Sequence, residues 1–92
     1  MKRSFTIPSD VVSEVINGEA MLLNLSTGRY FSLNSTGAFI WRQLETHGDV
    51  GRIVGELAAT YSLDERKAVE DVNALLSELT AQALITPYVG TG

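Results

Sequence analysis

The 92-residue chain has no cysteine. That excludes a disulfide framework, a thiolate metal site and a cysteine nucleophile. There is one histidine, His47, so no histidine pair is available to a metal. Any catalysis would have to rest on Asp, Glu, Lys, Ser or Tyr. Positive charge is also scarce, with seven Lys and Arg against eleven Asp and Glu and a net charge of -4. Nucleic-acid binders draw much of their affinity from neutralising phosphates, so this balance argues against that class. No apolar run approaches the ~18 residues of a membrane span. The charged start, Met1-Lys2-Arg3, is not followed by the apolar stretch of a signal peptide. A cytoplasmic protein with no membrane partner is expected.

What is present suits one small domain. Hydrophobic residues make up 45% of the chain and charged ones 20%, which is ordinary globular composition. A chain of this length buries roughly two-thirds of its unfolded surface, enough for one core. Residues 11–16 are rich in β-branched side chains and run into Asn17-Gly18, a strong signal for a type I′ hairpin. The partner strand spans 19–25. Ser26-Thr27-Gly28 then suits a three-residue turn into a third strand at 29–33. Counting outward from that turn sets Leu23 opposite Phe31 and Met21 opposite Leu33. Met21, Leu23, Leu25, Phe31 and Leu33 would then share the core face, with Asn24, Tyr30 and Ser32 on the other. The third strand is left at the sheet edge.

Helices are expected beyond it. Asn34 or Ser35 caps a first helix carrying Ala38, Phe39, Ile40, Trp41 and Leu44, and Gly48 stops it. Asp49 caps a second, whose apolar stripe is Val50, Ile53, Val54, Leu57, Ala58 and Tyr61. Asp64 caps a third, running to about Gln82 with the stripe Ala68, Val72, Leu75, Leu76, Leu79 and Ala83. The fold class is α+β, a three-stranded antiparallel meander followed by three helices, in a winged-helix-like arrangement. The whole chain, 1–92, forms one domain with its core at about 11–85. Residues 1–10 and 86–92 are expected to be flexible, the latter ending in a frayed Gly90-Thr91-Gly92.

The candidate chemistry is sparse. His47 at a helix end can cap carbonyls and suit the helix dipole. Glu65, Glu70, Asp71 and Glu78, interspersed with Arg66 and Lys67, read as a solvated helix face rather than an acid–base pair. No phosphate loop is present, because Asn34-Ser35-Thr36-Gly37 lacks the glycine spacing and the lysine. In a DNA-binding winged helix the third helix enters the major groove. Here residues 64–83 hold two positive charges against five negative ones, and phosphates would repel them. The unblunted edge remains: the third strand has no proline or lysine, and an extended peptide could add to it.

The run Gly28-Arg29-Tyr30-Phe31-Ser32-Leu33-Asn34, followed by a helix bearing Ile40-Trp41, resembles the signature of the PqqD-like proteins. Glu19-Ala20-Met21-Leu22-Leu23-Asn24-Leu25, Asp71-Val72 with Leu75, Leu76 and Leu79, and the ending Ala83-Leu84-Ile85 extend the likeness over residues 11 to 85. Ala83 stands where that family usually has glycine. The resemblance implies a RiPP recognition element: a non-catalytic protein, without cofactor or metal, that binds the leader of a ribosomally made precursor. It would present that leader to a modifying enzyme, such as a radical-SAM protein or a leader protease, in PQQ, lasso-peptide or related biosynthesis. The leader would pair with the third strand, at Arg29, Tyr30, Phe31, Ser32 and Leu33, and lie against the third helix. On that helix Asp71, Leu75 and Glu78 are the expected groove residues, with Asp71 placed to meet a basic leader side chain. A monomer or weak dimer is expected. The alternative is a non-catalytic dimer or interaction module that uses the third strand as a homotypic interface.

Overall fold

The computed structural model describes residues 3–88. Its elements are β1 (Phe5–Thr6), β2 (Val11–Ile16), β3 (Glu19–Asn24), β4 (Tyr30–Leu33), α1 (Ser35–Thr46), α2 (Val50–Tyr61), α3 (Glu65–Ala81) and β5 (Thr86–Pro87). Strands β2, β3 and β4 form one antiparallel sheet in that order, and three helices follow. This is the α+β meander-then-helices architecture read from the sequence.

Local chemistry accounts for the helix boundaries. Asn34 Oδ1 accepts from the Gly37 N–H at 2.9 Å, Asp49 Oδ1 from Arg52 at 3.2 Å, and Asp64 Oδ1 from Arg66 at 2.9 Å. Each cap satisfies a donor that the first helical turn leaves free. At the end of α1, the backbone N–H groups of His47 and Gly48 both bond to the Gln43 carbonyl. The His47 ring accepts the Asp49 N–H on Nδ1 at 3.0 Å, which leaves Nε2 to donate to Gln43 Oε1 at 2.7 Å. The histidine joins α1 to α2. Trp41 and Ile40 of α1 are buried together with Leu22 of the sheet and Ile53, Leu57, Val72, Leu76 and Leu79 of the other helices.

The sheet register differs by one residue from the sequence expectation. Leu22 lies opposite Phe31 and Ala20 opposite Leu33, while Met21 faces Ser32 and Leu23 faces Tyr30. The core face of β3 is therefore Ala20, Leu22 and Asn24, and Met21 and Leu25 are exposed. The turn explains the slip. It spans four residues, 25–28, because the Asn24 N–H bonds to the Arg29 carbonyl and the Gly28 N–H to the Asn24 carbonyl. Asn24 Oδ1 holds this turn by accepting the N–H groups of Ser26 and Thr27, at 2.9 and 3.2 Å. A side chain that bonds backbone two and three residues ahead overrides the shorter turn. One residue of slip exchanges the two faces of a strand.

Strand pairing extends beyond 11–85. β1 pairs with β5 in a separate two-stranded ladder, Phe5 opposite Pro87 and Thr6 opposite Thr86, and Phe5 is part of the core. The Phe5 N–H donates to the Gly48 carbonyl at 2.9 Å, and the Val50 N–H to the Arg3 carbonyl at 2.9 Å. Residues 3–8 and 84–88 thus close the bottom of the helical layer. Residues 1, 2 and 89–92, including the expected frayed tail, lie outside the described residues.

Helix α3 ends in a left-handed residue that is not glycine. Ala83 has φ 59°, with the Leu84 N–H bonded to the Leu79 carbonyl and the Ala83 N–H to the Thr80 carbonyl. Those two bonds form a Schellman motif, which favours glycine at this position. The left-handed region costs an alanine about 1–2 kcal/mol, partly offset by the extra chain entropy a glycine would lose on folding. Ala83→Gly should therefore raise stability by about 0.5–1 kcal/mol, read as a higher urea midpoint with unchanged slope.

Candidate functional site

The strand order leaves β4 at a sheet edge. Backbone N–H and C=O groups of one strand residue point the same way in the sheet plane, and successive residues alternate. Because the Arg29 carbonyl bonds inward to Asn24, Phe31 and Leu33 also bond inward, opposite Leu22 and Ala20. Tyr30 and Ser32 therefore turn their N–H and C=O groups outward, which offers four ladder positions. Of the five residues expected at the edge, only these two present backbone. Arg29 lies just before β4, its N–H held by Thr27 Oγ1 at 3.2 Å. The Tyr30 side chain stands on the outer face, 72% exposed in the whole residue by relative area in the free chain against 5% for Leu33 on the core face.

Two hollows flank the end of this strand, and both include Asn34. On the helical side a groove of about 370 Å³ is lined by Asn34, Thr36, Gly37, Ile40, Asp71, Ala74, Leu75 and Glu78. The structure thus brings Asp71, Leu75 and Glu78 together, beside the start of α1 and next to the end of β4. Leu75 is half-buried, unlike the fully covered Val72, Leu76 and Leu79 of the same stripe. On the outer face a hollow of about 290 Å³ is lined by Glu14, Ile16, Asn17, Glu19, Ala20, Met21, Ser32, Leu33 and Asn34. Ser32 Oγ lies 3.6 Å from Met21 Sδ there.

The groove is acidic, but its two carboxylates are not equivalent. Asp71 Oδ1 sits 3.1 Å from Lys67 Nζ, one helical turn back. This bond and the carboxylate charge raise the Lys67 pKa above the usual lysine value. Lys67 therefore stays charged at neutral pH, and its side of the pair is lost as pH rises through the shifted lysine value. A basic peptide side chain would have to compete with Lys67 for Asp71. Glu78 has no ion-pair partner among the described residues.

The sequence reading missed Thr36, Gly37, Ile40 and Ala74. Asn34 and Ile40 were visible in it only as a cap and a core residue. Nothing in the linear pattern showed that the first turn of α1 packs beside α3. Gly37 is needed at close quarters, since a Cβ there would sit 3.1 Å from Leu33 Cβ. Among the described residues, no group of three or more His, Asp or Glu side chains is placed to hold a metal, and no helix is long and apolar enough to cross a membrane.

The model of one protein family, Coenzyme PQQ synthesis protein D (PqqD), matches residues 19–85. Two solved structures share the fold. TbiB1 in complex with the TbiA(beta) leader peptide is 35% identical, with a TM-score of 0.86, over 92% of this chain and 99% of that one. Lasso peptide synthetase B1 complexed with the leader peptide is 23% identical, with a TM-score of 0.82, over 91% of this chain and 99% of that one. No curated protein matches the chain. A family match running from β3 to the end of the helical layer, together with a relative of 35% identity along nearly the whole domain, places this chain in the PqqD family.

Proposed function

We propose that this chain is a RiPP recognition protein. It binds the leader of a precursor peptide as a fourth strand on β4, against α3, and presents it to a modifying enzyme. The observation that carries the reading is an open edge with a groove next to its end: Tyr30 and Ser32 turn their backbone groups outward on β4, and Asn34, the residue after β4, lines the groove with Ile40, Leu75 and Glu78. TbiB1, the 35%-identical relative, is itself a leader-peptide complex. The chain acts by binding alone, as a monomer or weak dimer without metal or cofactor, and leaves chemistry to its partner enzyme.

Energetics assigns separate tasks to backbone and side chains. Four ladder bonds at about 0.5–1.5 kcal/mol net supply some 2–6 kcal/mol. Micromolar affinity needs about 8 kcal/mol, before the peptide's ordering cost is subtracted. Apolar anchors must supply the rest, at about 1.5–3 kcal/mol for each fully buried side chain. An added strand alternates its side chains, so one set enters the groove at Leu75 and the other lies over Met21 and Ser32. Backbone pairing gives tolerance of sequence, and the anchors give specificity.

Isothermal titration with a synthetic leader, drawn from the short reading frames encoded next to this chain's gene, tests the reading. Leu75→Ala should weaken binding by about tenfold, the loss of roughly half to all of one buried anchor. Glu78→Gln should have a smaller effect and Asp71→Asn the smallest, because both carboxylates meet solvent and Asp71 already has Lys67. Salt should matter little. A wild-type protein that ignores the leader, or a steep salt dependence with Asp71→Asn worse than Leu75→Ala, would sink this assignment.

A further inference from the structure

We propose that Asn24 is the positioning residue of the leader site: its one buried amide sets both the register of the β4 edge and the attachment of that edge to α3. The inference rests on the strand-addition reading and deepens it, since Asn24 lies on β3, one strand in from the edge a peptide would meet. Asn24 is 3% exposed and is the one buried polar residue among the described residues. Oδ1 takes the N–H groups of Ser26 and Thr27, and Nδ2 donates to the Ala83 carbonyl at 3.1 Å. Chemistry dictates this orientation. A flipped amide would aim its NH₂ at two N–H donors and its oxygen at a carbonyl.

Each half of the amide has a separate consequence for the site. Oδ1 holds the four-residue turn at 25–28. With a three-residue turn the pairing would slip by one, and the groups of β3 that face β4 would meet Tyr30 and Ser32 instead of Phe31 and Leu33. The ladder groups offered to a peptide would then turn inward, and the Tyr30 side chain would enter the core. Nδ2 acts on the other wall. Ala83 directly follows the α3 C-cap, Gln82, so the bond fastens the end of α3 to the start of the turn that leads into β4. That is the end of β4 opposite Asn34, where α1 joins the groove. The sheet therefore meets α3 beyond both ends of β4, beside the groove at Asn34 and through the Asn24 bond at the hairpin end. The strained Ala83 conformation aims its carbonyl at this amide.

The test compares three folded proteins by isothermal titration with the same synthetic leader. They are the wild type, Asn24→Asp and a control, Val50→Ala, which removes buried packing at the start of α2, away from the cleft. Asn24→Asp keeps the acceptor for the turn and replaces the donor with an oxygen facing the Ala83 carbonyl. Circular dichroism melts fix a temperature at which all three are folded, so that lost stability alone changes nothing. Asn24→Asp should bind the leader about tenfold or more weakly than the control, the loss expected if freeing the end of α3 unseats half to all of one apolar anchor. Equal affinities for Asn24→Asp and the control, with the wild type binding, overturn the proposal and leave strand addition intact. A wild type that binds no leader overturns that reading and this inference with it. If Asn24→Asp does not fold, hydrogen exchange in the wild type decides. Coupling is reciprocal, so bound leader should slow exchange of the Ser26 and Thr27 amides, and unchanged exchange at both overturns the proposal.

Discussion

Ser32→Pro should yield a folded protein that binds its leader at least about 30-fold more weakly than the wild type. The Ser32 N–H points away from β3, so its loss removes no bond within the sheet. Proline is tolerated on edge strands for this reason. A leader strand would lose one ladder bond and be left with an unpaired carbonyl against the proline ring. Together these amount to about 2–4 kcal/mol, and 2 kcal/mol is already about 30-fold. Phe31→Pro is the complementary change. It removes an N–H that bonds inward to Leu22, and should unfold the sheet. Circular dichroism must accompany the titration in both cases. A folded Ser32→Pro protein with wild-type affinity would show that the leader does not add to β4.

A large effect on stability is expected at Gly48→Ala, a change remote from the groove. Gly48 has φ 69°, a region that costs an alanine about 1–2 kcal/mol. In addition, a Cβ there would run into the Phe5 carbonyl oxygen, which is backbone and cannot turn aside. Relief requires β1 to move, with loss of the Phe5 N–H bond to Gly48 and of Phe5 from the core. The total should reach about 3 kcal/mol or more, out of the roughly 5–14 kcal/mol that holds a domain of this size together. Gly55 provides the contrast. It lies within α2, where an added Cβ meets nothing within 4 Å, so Gly55→Ala should stabilise by about 0.5–1 kcal/mol. Urea unfolding of the two variants should move in opposite directions. A Gly48→Ala protein as stable as wild type would mean that β1 is not anchored to the α1–α2 junction.

The periodic elements and their punctuation were legible along the chain because the chemistry that makes them is local. Asn34, Asp49 and Asp64 cap helices through bonds that reach two or three residues forward. The amphipathic stripes of α2 and α3 need only the helical period, and Asn17-Gly18 needs only its own positive φ values, 54° and 79°. The edge position of β4 followed from two short turns in succession. Likewise, Asp71, Leu75 and Glu78 share a helix face at intervals of four and three residues, so their meeting in one groove was already implied.

Tertiary structure alone decided the rest. Whether the second turn had three residues or four depended on Asn24, a polar side chain that an alternating pattern assigns to solvent. It is buried because the Ala83 carbonyl, 59 residues away, stands ready to receive its amide. That single placement moved Ala20 and Leu22 into the core and put Met21 and Leu25 outside it. Pairing of β1 with β5 joins residues about 80 apart, which no local pattern encodes. The partner wall of the groove, from Asn34 to Ile40, lies beside α3 only because α1 packs on the sheet and on the other helices. The sequence by itself determined the elements, their caps and the free edge, since each arises from contacts within a few residues. Register, the pairing of β1 with β5 and the second wall of the groove depend on contacts between distant segments, and those exist only once the chain has closed on itself.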